Sequence, residues 1–172
     1  MLFTIGTSDR SLPSFLDELA HRSIRHIVDV RSHPHSRLAH FSAPQIQRWS
    51  DHAGIYYRQA GEVLGGRSAA CIQDARYMSE LDRLVTSTTR EPVAIFCAEG
   101  DPRQCHRTYE VAATILVEFG LVATSILRNG SDEDVTKTLS LTKVELIPET
   151  IRDEALRISQ EQSSNSTLPL PF

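Results

Sequence analysis

Only three cysteines occur in the 172-residue chain, Cys71, Cys97 and Cys105, and no two of them form a C-x-x-C pair. That odd number argues against a disulfide framework and fits a reducing compartment, so the expected address is cytoplasmic. Long apolar runs are missing too. Nothing approaches the ~18 residues that a membrane helix needs, and the opening MLFTIGTSDRS has no basic stretch leading into an apolar one. Neither export nor a membrane partner is expected. Basic excess is lacking: with a net charge of -4 the chain has no positive field for extended contact with a duplex. Internal repeats, a G-x-G-x-x-G fingerprint, a Walker loop and a standard zinc spacing are absent as well.

The composition that remains, 40% hydrophobic and 23% charged, is that of a globular protein able to bury about two-thirds of its unfolded surface in one core. Strand and helix patterns alternate along it. Leu2 to Ile5 reads as a strand, and Leu12 to Ala20 as a helix capped by Ser11. His26 to Val30 is a second strand and Arg31 to His40 a polar loop. A helix follows, starting at the capping box Ser42-x-x-Gln45 and ending at Gly54. Ile55 to Arg58 is a third strand, Gln59 to Asp74 a long connection and Ala75 to Thr86 a helix. Pro92 to Phe96 is the most continuous strand, Gln104 to Phe119 a helix and Leu121 to Leu127 a fifth strand.

Such alternation predicts an α/β three-layer sandwich, with a central, mostly parallel sheet of about five strands and helices on both faces. Residues 1–130 form the expected core domain. Residues 131–160 are a C-terminal extension packed on it, with an edge strand at Val144 to Ile147 and a helix at Glu149 to Gln160, and residues 161–172 are a disordered tail.

The stretch CAEGDPRQCHR, Cys97 to Arg107, packs two thiols, an imidazole, two guanidiniums and two carboxylates into one strand-to-helix junction. Asp101 as N-cap with Pro102 at the first helical position makes a consistent helix start. Ligands of parallel sheets bind at the strands' carboxyl ends, where a helix N-terminus stabilises negative charge. Cys97 is therefore the candidate reactive group, with Glu99 or His106 moving protons and Arg107 holding an anion. Cys105, on the helix, is expected to face the core.

Two more loops should reach the same rim. Gly6, Ser8 and Arg10, after the first strand, could cradle a phosphate or carboxylate. Asp29, Arg31 and Arg37, around the second, add charge, with Asp29 paired to an arginine such as Arg31 or Arg10. Tyr57, Gly65 and Gly66 would wall the crevice. His33, His35 and His40 match no zinc pattern, so no metal is assigned, and the residues name no cofactor.

In order and separation, TIGTSDRS, IVDVRSHPHSR, YYRQAGEVLGG and CAEGDPRQCHR resemble the domain of unknown function 488 family over roughly residues 2–128. The resemblance implies a compact α/β sandwich and carries the family pattern onto Gly6, Ser8, Arg10, Asp29, Arg31, Pro34, Ser36, Arg37, Tyr57, Gly65, Gly66, Cys97, Glu99, Pro102, Cys105, His106 and Arg107. The chain departs from it at Thr7, where histidine is typical, and at Asp9, where asparagine is typical. It implies no activity. A fainter likeness is to rhodanese-like loops, through DVR after a strand, and Cys97 to Arg103 satisfies the C-x-x-x-x-x-R spacing of phosphatases. Asp101 inside that loop opposes an anion, and Pro102 removes a donor.

Three functions are consistent with these residues. The first is an enzyme acting on a small anionic substrate, nucleotide-like or sulfur-containing, with Cys97 reactive. The second is a module that binds a nucleotide or nucleic-acid end without chemistry. In the third, the charged residues form a buried ion-pair network that holds the loops together. Oligomeric state is not legible.

Overall fold

In the computed structural model, which describes residues 1–8, 10–67 and 72–165, the strands are short, three to five residues each. They are β1 (Leu2–Gly6), β2 (His26–Asp29), β3 (Tyr56–Gln59), β4 (Val93–Cys97), β5 (Thr124–Ile126) and β6 (Asp132–Asp134). They form one sheet in the order β3-β2-β4-β1-β5-β6. The first five run parallel and β6 pairs antiparallel with β5. The expected α/β architecture is thus present, with one strand more than the alternation suggested.

Side chains alternate across each strand, and both faces are apolar as a doubly covered sheet requires. On one face Phe3, Ile5, Ile27, Ala94 and Phe96 pack against Phe15 and Leu19 of α1 (Leu12–His21) and Ile46 of α2 (Ala43–Ala53). Phe15 sits at the centre, edge-on to Phe41 at 5.1 Å and to Phe96 at 6.0 Å. After the short α3 (Gly61–Leu64), α4 (Ala75–Thr88) brings Tyr77, Leu81 and Leu84 to the other face, against Leu2, Val28, Val93, Ile95 and Cys97. That face is completed by α5 (Ala113–Phe119), α6 (Val135–Ser140) and α7 (Glu149–Asn165). Cys97 shares it because it stands two and four residues beyond Ile95 and Val93.

Local rules account for most boundaries. Ser11 caps α1 by accepting from the Ser14 N–H, Asp74 caps α4 through the Arg76 N–H, and Gly54 ends α2 with a left-handed φ of 64°. Four expectations need correction. The Ser42 hydroxyl does not cap α2 but donates to the Ala39 carbonyl at 2.7 Å, so no capping box forms. Val144 to Ile147 is no edge strand, because Val144–Leu146 turns as a 3-10 helix, and the edge is the charged β6. Helix α7 runs on through residues 161–165, which were expected to be disordered; residues 166–172 of that segment lie outside the described residues. The helix expected over Gln104 to Phe119 is broken. A 3-10 turn at Pro102–Gln104 gives way to an extended Cys105, followed by a π-helical turn at Arg107–Ala112 and then α5.

Candidate functional site

The break at Cys105 builds the site. With φ -115° and ψ 133°, Cys105 leaves the helical path. Its sulfur turns toward Cys97 at the end of β4, and His106 lies between them. His106 Nδ1 is 3.8 Å from Cys97 Sγ and 3.9 Å from Cys105 Sγ, while Nε2 is 2.9 Å from the Val30 carbonyl. With the Nε2 proton donated to that oxygen, Nδ1 faces the two sulfurs. The three ligand-type atoms lie within 4.8 Å of one another, the only cluster of three or more His, Cys, Asp or Glu groups of metal-binding proximity among the described residues.

The cluster is the floor of an open cleft of about 460 Å³ at the carboxyl ends of the strands. Arg31, Ser32 and His33 line it from the β2 side, Ala98 and Glu99 from the β4 side and Gly66 and Arg67 from above, with Gln104 and Tyr109 completing the wall. Gly66 is required: a Cβ there would stand 2.9–3.1 Å from Cγ, Cβ and Nδ1 of His106.

The electrostatics of the floor are coupled. Cys97 is hydrogen-bonded to Cys105 and buried, and both effects push its thiol up. The same bond, with the charges of Arg107 and His106, pulls Cys105 well below the usual thiol range against the cost of burial. Burial pulls His106 down, but its bond to Cys105, that sulfur's charge and the Val30 carbonyl outweigh it and leave the imidazole above its ordinary value. Burial and the shared bond thus favour negative charge on Cys105 over Cys97, with His106 beside both sulfurs.

The sequence-selected residues therefore divide. Cys97, Glu99 and His106 all line the cleft. Glu99 also anchors its loop, Oε1 accepting from the Asp101 N–H at 3.0 Å. Arg31 lines it too, but its guanidinium is committed: Nε and Nη2 make a bidentate pair with Asp29 at 2.8 and 2.6 Å, and Nη1 donates to the Phe41 carbonyl at 2.8 Å. Burial opposes the Arg31 charge, and Asp29 outweighs it. Tyr57 is no wall of the cleft, since it lies in the core and donates to Asp29 Oδ2 at 3.0 Å.

Arg107 is fully buried and holds the Glu99 and Gly100 carbonyls. Arg10 holds the Leu127 carbonyl and pairs with Glu18 at 3.5 Å, on the far side of β1. Gly6 serves a close approach of chains: a Cβ there would collide with the Glu99 carbonyl. The N–H groups of Thr7 and Ser8 donate to the Cys97 and Ala98 carbonyls at 2.9 and 2.8 Å. This loop prolongs the β1–β4 ladder and offers those donors to no phosphate. Ser8 and Arg37 line a separate depression with Thr7, His35 and Ala98. The Cys97–Arg103 spacing forms no anion ring, because Arg103 turns to Glu133 at 3.0 Å and its N–H donates to Asp101.

Sequence reasoning missed Cys105 as a cleft residue, and with it Ser32, Arg67, Gln104 and Tyr109. The Cys105–His106 dipeptide eight residues after Cys97 was the available signal.

Two of the four sequence blocks, DVRSHPHSR and YYRQAGEVLGG, supply Arg31, Ser32 and His33 and then Gly66 to the cleft lining. Residues 11–70 match the family model described as Domain of unknown function DUF488. The resemblance to that family holds over this segment, while the Cys97 to Arg107 block lies outside the DUF488 match. No curated protein and no solved structure matches the chain. Among the described residues no helix is long and apolar enough to cross a membrane.

Proposed function

We propose that the chain is an enzyme that transfers a group from a small anionic substrate, using the Cys97–Cys105 sulfur pair with His106 as its reacting centre. The observation that carries this reading is the convergence of both sulfurs on one face of His106 at the floor of the cleft. A nucleophile and a proton partner within reach of each other, the partner fixed by a third group, is the arrangement nucleophilic catalysis requires. Here the third group is the Val30 carbonyl.

Sulfur forms a bond to the electrophilic atom of the substrate. The bond from that atom to the leaving group breaks, and the leaving group takes the His106 proton. A second acceptor, water or a nucleophilic cosubstrate, then displaces the sulfur and returns a proton to His106. Arg67, exposed at the mouth, supplies positive charge for an anion, a role Arg31 and Arg107 cannot fill while bound to Asp29 and to carbonyl oxygens.

Iodoacetate and iodoacetamide test this together, since they carry the same electrophile with and without a negative charge. Reduced protein is alkylated by each and the label mapped by peptide mass. The expected result is a carboxymethyl group on Cys97 or Cys105, saturable kinetics that favour the anion, and protection by phosphate or sulfate. A faster reaction with the neutral reagent and no protection would remove the anionic substrate. Label on neither sulfur would remove the reacting centre.

A further inference from the structure

The same three atoms suit a metal ion. We propose that Cys97 Sγ, Cys105 Sγ and His106 Nδ1 form a Zn²⁺ site with one coordination position left toward the cleft. A tetrahedral zinc with bonds of about 2.3 Å to sulfur and 2.0–2.1 Å to nitrogen separates sulfur from nitrogen by about 3.6 Å. His106 Nδ1 already stands 3.8 and 3.9 Å from the two sulfurs. The third separation is within 4.8 Å, so small side-chain adjustments close the geometry.

Two further features belong to a built site. His106 gives its other ring nitrogen to the Val30 carbonyl, the outer contact that orients most metal-bound imidazoles. Gly66 leaves only enough room to hold the ring in place. Two sulfurs with one imidazole select a soft or borderline ion over Mg²⁺ or Ca²⁺, and among those Zn²⁺ needs no redox partner. The three ligands all line the cleft, so the remaining position opens toward it, as in catalytic zinc sites and unlike closed structural ones. A bound ion takes both sulfurs as ligands and blocks their alkylation. The inference goes beyond the group-transfer reading and can fail separately from it.

Cobalt(II) reports on such a site directly. Reduced, metal-free protein is titrated with Co²⁺, followed by Zn²⁺ in competition. The expected result is one equivalent per chain, with thiolate-to-cobalt charge-transfer absorption and the visible bands of a tetrahedral ion, all abolished by Zn²⁺. C97S, C105S and H106Q should each lose the tetrahedral spectrum, as should wild-type protein alkylated at these sulfurs with its circular dichroism unchanged. Absence of the charge-transfer band in wild type overturns the site, and so do bands that survive C105S and H106Q. Iodoacetate labelling of the metal-free protein separates the two ideas: labelling without a cobalt spectrum leaves the thiol reading standing alone, and a cobalt spectrum without saturable labelling leaves only the metal.

Discussion

Gly66→Ala is the most economical test of how the cleft is held together. The glycine adopts no left-handed φ, so the substitution costs nothing through backbone conformation and acts by contact alone. The new methyl would stand 2.9 Å from His106 Cγ and 3.1 Å from Cβ and Nδ1, where ordinary contact begins at 3.4 Å. The ring must yield by about half an ångström. It cannot do so freely, because Nε2 is held 2.9 Å from the Val30 carbonyl and Nδ1 lies between two sulfurs. Losing that hydrogen bond costs about 1 kcal/mol, and overpacking adds about 1–3 kcal/mol. The variant should unfold in urea about 2–4 kcal/mol sooner than wild type. Loss of about 1 kcal/mol from the sulfur–imidazole contact corresponds to a roughly fivefold slower iodoacetate reaction. Unchanged stability together with unchanged labelling would mean that the loop over residues 65–67 does not press on His106, and the description of the cleft would be wrong.

Two other perturbations read the framework. Asp29→Asn removes the charge that two Arg31 donors and the Tyr57 hydroxyl share and leaves a buried guanidinium uncompensated, so a loss of about 3–5 kcal/mol is expected by urea denaturation. A loss under about 1 kcal/mol would show that the Phe41 carbonyl and the Phe96 ring hold Arg31 without the carboxylate. His26 titrates low because it is buried and faces Arg58 and, more weakly, Arg83, which Glu91 only partly offsets. The unfolded chain therefore takes up this proton first, so stability should fall as pH drops below the ordinary histidine value of about 6.5, and His26→Gln should flatten that slope in thermal melts.

The parts of the fold that follow a period were legible, and the parts held by charge were not. Val93–Cys97 reads as a strand because it is apolar on both faces, as a central strand of a covered parallel sheet must be. The edge strand Asp132–Asp134 has no apolar residue at all. It is held by ladder bonds to β5 and by Glu133, which turns inward to Arg103 and the Thr138 hydroxyl. No hydrophobic pattern announces such a strand. Val144 to Ile147 has the apolar content and forms a turn instead, because α6 and α7 have already covered that face of the sheet and Ile147 is needed in their core.

The site shows the same division one level down. Strand alternation alone places Cys97 on the face that receives the following helix, so its position was derivable. The arginines could be seen to converge, yet convergence does not say whether a guanidinium faces a ligand or its own loops. Buried charge must be paired: Arg10 and Arg31 meet that demand on Glu18 and Asp29, while Arg107 is held by backbone oxygens with its Nε left without a partner. They hold the loops to one another. Cys105 is buried in the core as expected, yet it lines the cleft as well. One extended residue before the π-helical turn brings its sulfur there, and a break of one residue leaves no trace in a 3.6-residue period. The proposed reacting centre depends on that break, since it brings a second sulfur to the imidazole.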